Sequence, residues 1–140
     1  MSRYEIALGK ASNEPHPKQG TRVFEQDRKI NFVDTNNVLV GYDMEQDCCE
    51  MADWFISGKI EESIPEDLRH SDDLTGYVFD ATFFKEISGG SDFDEGGMVI
   101  FRLFNIHQEK YLHLFNCHNG YYSHGFEMKI NDKEIRSDLI

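Results

Sequence analysis

The sequence predicts an α+β fold: a mainly antiparallel sheet with a C-terminal β-meander and one or two short helices. Three observations carry this. Apolar, aromatic-rich runs follow one another from Gly76 to Met128 with short polar breaks. Two shorter apolar runs flank the turn-forming stretch Asp34-Thr35-Asn36-Asn37. Met51, Trp54 and Phe55 fall at helical spacing between them.

Taken in order, residues 3–8 alternate weakly and are read as a first strand. Residues 13–20 hold two prolines and a glycine among polar residues, a loop. Residues 21–25 are a short strand or an irregular piece. Residues 29–33 and 38–42 form a hairpin across the Asp/Asn-rich gap. Residues 48–57 are read as a short helix, capped by Asp47 and stopped by Gly58. A helical turn is expected at Pro65-Glu66-Asp67-Leu68, because proline suits a first helical position and acids suit a first turn. Residues 76–84, 98–104, 111–118 and 121–128 read as strands. Asn119-Gly120 is the expected two-residue turn between the last two, since such turns need positive φ at both centres. The last three strands would then pair in sequence as a meander.

The bulk properties fit one domain spanning residues 1–140. The hydrophobic fraction is 39% and the aromatic fraction 13%, enough to build a core. No run approaches the roughly 18 apolar residues of a membrane span. The start of the chain has no apolar run behind Arg3, and three cysteines make no secreted disulfide framework, so a cytoplasmic location is expected.

Charge is unevenly spread. The net charge is −12, yet residues 43–95 hold sixteen acids against only Lys59, Arg69 and Lys85, a local charge of −13. The rest of the chain is nearly neutral. A solvated, solubilising surface is one explanation; a face presented to a basic protein partner is the other. Direct nucleic-acid binding is disfavoured, since phosphate contacts need clustered cations. On the partner reading the contacts come from Glu45, Asp47, Glu50, Glu61, Glu62, Glu66 and Asp67, with Trp54 as an aromatic anchor. Trp54 is equally suited to plugging the helix onto the sheet.

The string Glu45-Gln46-Asp47-Cys48-Cys49-Glu50, together with Asn119-Gly120-Tyr121-Tyr122-Ser123, resembles a family of small bacterial and phage proteins grouped as a domain of unknown function, DUF7448. The resemblance runs from about Val38 to Met128 and leaves the chain before Ile30 as an extension. It implies a prokaryotic or phage context and assigns no activity to any residue.

Other constellations compete with bland readings. Cys48, Cys49 and Cys117 with His113, His118 and His124 invite a zinc site, and Cys49, Cys117 and His124 in particular a metal site or a thiol enzyme. About the Asn119-Gly120 turn, Cys117 and His124 would be diagonal neighbours roughly 7–8 Å apart. The cysteine spacing matches no strong zinc pattern, and adjacent strand cysteines point to opposite faces. The acids around Cys48 and Cys49 would raise a thiol pKa and weaken a nucleophile. Asp80, between Phe79 and Ala81, is the best placed carboxylate for a raised pKa, though an outward strand position is the simpler reading. Asp92, Asp94 and Glu95 lack the spacing of a calcium loop. No cofactor is expected. The sequence therefore points to a non-enzymatic acidic binding protein, of the kind that inhibits nucleic-acid-handling machinery or acts as an immunity protein. The alternative is a small metal-binding or thiol enzyme.

Overall fold

A computed structural model describes residues 20–44, 51–68, 70, 73–88, 96–117 and 123–140. Ten strands are assigned: β1 (Arg22–Gln26), β2 (Lys29–Val33), β3 (Val38–Asp43), β4 (Met51–Ser57), β5 (Val78–Phe79), β6 (Lys85–Ser88), β7 (Gly97–Phe104), β8 (Glu109–Cys117), β9 (Gly125–Ile130) and β10 (Lys133–Leu139). They form two antiparallel sheets. The first has the order β1-β2-β3-β9-β10; the second runs β4-β8-β7-β5, with β6 also pairing β7. There is no helix among the described residues, so the fold is all-β and not α+β.

The two sheets meet face to face over one shared core. Ile30, Phe32, Val40, Tyr42, Phe126 and Met128 come from the first sheet; Trp54, Val99, Phe101, Leu103, Leu112 and Leu114 come from the second. A strand turns alternate residues to opposite faces, so one set of alternating positions supplies this core. The second sheet is apolar on its outer face too. There Phe55, Met98, Ile100, Tyr111 and Phe115 cluster, with Ile60, Ile64, Leu68, Phe83 and Ile87 packed over them. Burial on both faces is why β7 reads as a nearly continuous apolar run.

It is also why the helix expected over 48–57 is wrong for its described part. Ala52 and Trp54 face the shared core while Phe55 faces the outer cluster. Met51, Trp54 and Phe55 thus mimic a helical stripe but belong to a two-faced strand paired with β8 from Met51↔Cys117 to Ser57↔Tyr111. Asp47 and Cys48 lie outside the described residues. The helical turn at 65–68 is a bend, held down by Ile64 and Leu68.

Of the strand expected over 76–84 only Val78–Phe79, β5, is extended, and the next strand begins beyond it at Lys85. The Asp80 carboxylate accepts hydrogen bonds from the backbone N–H of Thr82 at 3.0 Å and from its hydroxyl at 2.6 Å. This Asx turn ends β5 before β6 resumes along the same edge of β7. Gly97 permits the close approach of β6: a Cβ there would sit 2.7 Å from the Ile87 carbonyl oxygen.

The meander is half right. β7 and β8 pair from Gly97↔Asn116 to Phe104↔Glu109. The third strand leaves for the other sheet, where β9 pairs β3 and β10. A strand has two edges, and both edges of β8 are taken by β4 and β7, so the 111–118/121–128 hairpin does not form. Residues 118–122, including Asn119 and Gly120, lie outside the described residues. Among the described residues, two-residue turns with positive φ occur at Asp27 (56°) and Arg28 (65°) and at Asn131 (52°) and Asp132 (67°). The second of these links β9 to β10, a strand that the sequence reading did not anticipate. By contrast the β2–β3 hairpin pairs as expected, Ile30↔Tyr42 and Phe32↔Val40, and residues 21–25 fall largely within β1. The weak strand at 3–8 lies outside the described residues.

Candidate functional site

Of the described acids in the segment, Asp53, Glu61, Glu62, Glu66 and Asp67 lie on β4 and the chain that follows it, whereas Asp43 ends β3 and Asp80 and Glu86 lie at the opposite, β5–β6 edge of the second sheet. Ile60, Ile64 and Leu68 anchor residues 58–68 over the outer face of the second sheet. A fully buried histidine fixes the start of this segment. His113 on β8 stacks on Phe55, with ring centroids 4.2 Å apart and planes 8° apart. Its Nε2 accepts the backbone N–H of Glu61 at 3.0 Å, and its Nδ1 lies 3.0 Å from the Tyr111 carbonyl. An accepting Nε2 leaves Nδ1 as the N–H donor, so the imidazole is neutral. Burial pushes its pKa down to about 4.

This arrangement opens a cleft of about 290 Å³ beside β4, lined in part by Phe55, Ile56, Ser57, Glu61, Pro65 and Asp67. Apolar walls with two carboxylates suit a long side chain carrying a positive head. The Glu61 carboxylate accepts the Ser57 hydroxyl at 3.2 Å and lies 4.0 Å from the exposed Lys59 ammonium. Glu62 reaches Lys85 at 3.5 Å across the surface, and Glu66 is exposed. Glu61 and Asp67 are therefore brought into one cleft, with Glu62 and Glu66 on the same segment. Glu45, Asp47 and Glu50 lie outside the described residues.

Trp54 is not at this surface. It is 5% exposed, packs edge-on against Phe32 at 5.0 Å and carries His70 stacked at 4.2 Å. His70 Nε2 is 3.0 Å from Asp53 Oδ1, which also accepts the Trp54 backbone N–H at 2.8 Å. The tryptophan is a plug, tying a strand rather than a helix into the core.

Asp80 is not a carboxylate with a raised pKa. Its hydrogen bonds from Thr82, and the Arg102 guanidinium at 3.1 Å, hold it below the usual range. The carboxylate pushed up by burial is Asp34, in the gap of the β2–β3 hairpin. It is fully buried, and its oxygens accept the backbone N–H groups of Asn36, Val38 and Phe79, each at 2.9 Å. The Phe79 bond crosses to the second sheet, so Asp34 clasps the two layers together. Sequence reading took Asp34 as a turn residue and gave His113 no role beyond a possible zinc set. A polar residue at a strand end and a histidine within an apolar run were the signals, but neither reveals burial.

The geometry expected for Cys117 and His124 depended on the absent hairpin. Cys117 instead lies opposite Met51 and packs against the outer-face cluster. His124 bonds through its backbone to Ile140, and its Nδ1 lies 2.6 Å from the Asp43 carbonyl. Among the described residues no group of three His, Cys, Asp or Glu side chains is placed to hold a metal ion. Cys48 and Cys49 lie outside them, as do Asp92, Asp94 and Glu95. No described helix is long and apolar enough to cross a membrane.

These features define a class: a two-sheet, all-β protein whose described site is an acid-lined cleft beside an edge strand. Residues 6–128 match the family model described as "Domain of unknown function (DUF7448)", and the chain belongs to that family. The match begins well before Ile30, so the N-terminal part is within the family's span and is not an extension to it. No curated protein and no solved structure matches the chain.

Proposed function

We propose that this is a non-catalytic, cytoplasmic binding protein of bacterial or phage origin. It presents its acidic 43–95 region to a basic protein partner, as inhibitors of nucleic-acid-handling machinery and immunity proteins do. The observation that carries this reading is the concentration of charge: sixteen acids against three cations in one stretch of a chain that is otherwise nearly neutral. The anchoring of residues 58–68 by His113 and the outer apolar cluster supports it, because rigidly held carboxylates lose less entropy on binding than mobile ones. A field of this sign steers a basic protein and repels nucleic-acid phosphates.

The test is capture of partners from host lysate at low and high salt, followed by association kinetics with the purified partner. Replacing Glu61, Glu62 and Glu66 with glutamine and Asp67 with asparagine should slow association about tenfold and flatten its salt dependence. An unchanged rate would mean that the acids serve only solubility.

A further inference from the structure

The backbone of β4 shows how a partner could be held. In an antiparallel strand the N–H and C=O of one residue point the same way, and the direction alternates along the chain. The Asp80 N–H donates to the Arg102 carbonyl at 2.8 Å, so Arg102 turns its peptide groups away from β8. Arg102 lies opposite Tyr111, and Tyr111 lies opposite Ser57. Tyr111 and Ser57 therefore bond to each other, and Ile56, one residue along, faces away from β8. The Trp54 N–H confirms the phase: it is bonded to Asp53 Oδ1 and lies outside the β4–β8 ladder.

Among the described strands β4 is the terminal one of its sheet, and proteins usually blunt such edges. At Trp54 the edge is closed by the Asp53 carboxylate, on which His70 also sits. At Ile56 the outward N–H and C=O have no partner among the described residues, and Ile56 lines the cleft that holds Glu61 and Asp67.

We infer that this cleft is a strand-addition site: an extended basic segment of the partner pairs its backbone with Ile56 and lays a lysine or arginine side chain between Glu61 and Asp67. The inference rests on the basic-partner reading above and adds where and how the partner binds. Backbone pairing supplies affinity, and the flanking pocket supplies selectivity. Phe55 and Pro65 cover the aliphatic stem of the cation, and the two carboxylates meet its head. An acidic segment would meet the same carboxylates with repulsion.

The experiment measures fluorescence anisotropy of the full chain with three labelled peptides: alternating lysine and valine, alternating glutamate and valine, and the lysine peptide N-methylated throughout. The lysine peptide should bind. The glutamate and N-methylated peptides should each bind at least about tenfold more weakly, the first for charge and the second for lost backbone hydrogen bonds. The double variant Glu61→Gln, Asp67→Asn should lose affinity for the lysine peptide by a similar factor with an unchanged melting curve. Ile56→Pro removes the outward N–H that donates to a peptide carbonyl while sparing the β8 ladder, and it should weaken binding of the plain lysine peptide. If the N-methylated peptide binds as well as the plain one, or the double variant binds unchanged, strand addition at this cleft is overturned while a diffuse acidic surface still stands. If neither lysine peptide binds even at low salt, both readings fall.

Discussion

The buried His113 makes the stability of this protein fall steeply in mild acid. In the folded chain its pKa is about 4; in the unfolded chain it returns to its ordinary value near 6.5. Between those values the unfolded state takes up a proton that the folded state refuses, so acidification favours unfolding. The contribution is fully present above about pH 6.5 and is lost as pH falls through that window to the folded pKa. From pH 7 to about pH 4.5 the loss amounts to about 2 kcal/mol from this one group, a large part of a typical domain's margin. Glu61 is the charged neighbour that favours protonation, and desolvation outweighs it. The assay is urea denaturation at a series of pH values for the parent and for His113→Gln, whose amide does not titrate. The variant is less stable at pH 7, because the stacked ring and the bond from the Glu61 N–H are lost, but its stability should fall less between pH 7 and 4.5. The difference between the two slopes isolates His113 from the many surface carboxylates that titrate in both proteins. Parallel slopes would refute the assignment of a buried neutral imidazole, as would an NMR titration of His113 with a midpoint near 6.5.

Other outcomes follow from single residues. Asp34→Ala leaves the backbone N–H groups of Asn36, Val38 and Phe79 without their acceptor, and should cost about 3 kcal/mol or more in chemical denaturation. Gly97→Ala places a Cβ against the Ile87 carbonyl and should cost about 1–3 kcal/mol, with amide exchange accelerated in β6. Asp27→Val puts a β-branched residue at φ 56° in the β1–β2 turn and should lower stability by about 1 kcal/mol, whereas Asp27→Gly should be close to neutral.

Local chemistry settled several things before any tertiary contact was known. The β2–β3 hairpin was legible because β-branched and aromatic runs flank residues that favour turns. The same logic located β7 and β8, the absence of an apolar span of membrane length, and the concentration of acid between residues 43 and 95. What the tertiary structure decided was partnership and burial. Met51, Trp54 and Phe55 fit a helical stripe and a two-faced strand equally well, and only a second apolar layer over Phe55 selects the strand. Asn119-Gly120 has the composition of a hairpin turn, yet β4 takes the edge of β8 that β9 would have needed. Among the described residues, two-residue positive-φ turns formed at Asp27-Arg28 and Asn131-Asp132, without a glycine. Asp34 and Asp80 are both short acids at strand breaks; sheet packing buries one and leaves the other beside Arg102. The cleft at Ile56 has no sequence signature, because it depends on which strand ends the sheet and on His113 holding Glu61 from another strand. Residue type sets local preference, but pairing edges and desolvation arise between segments distant in the chain.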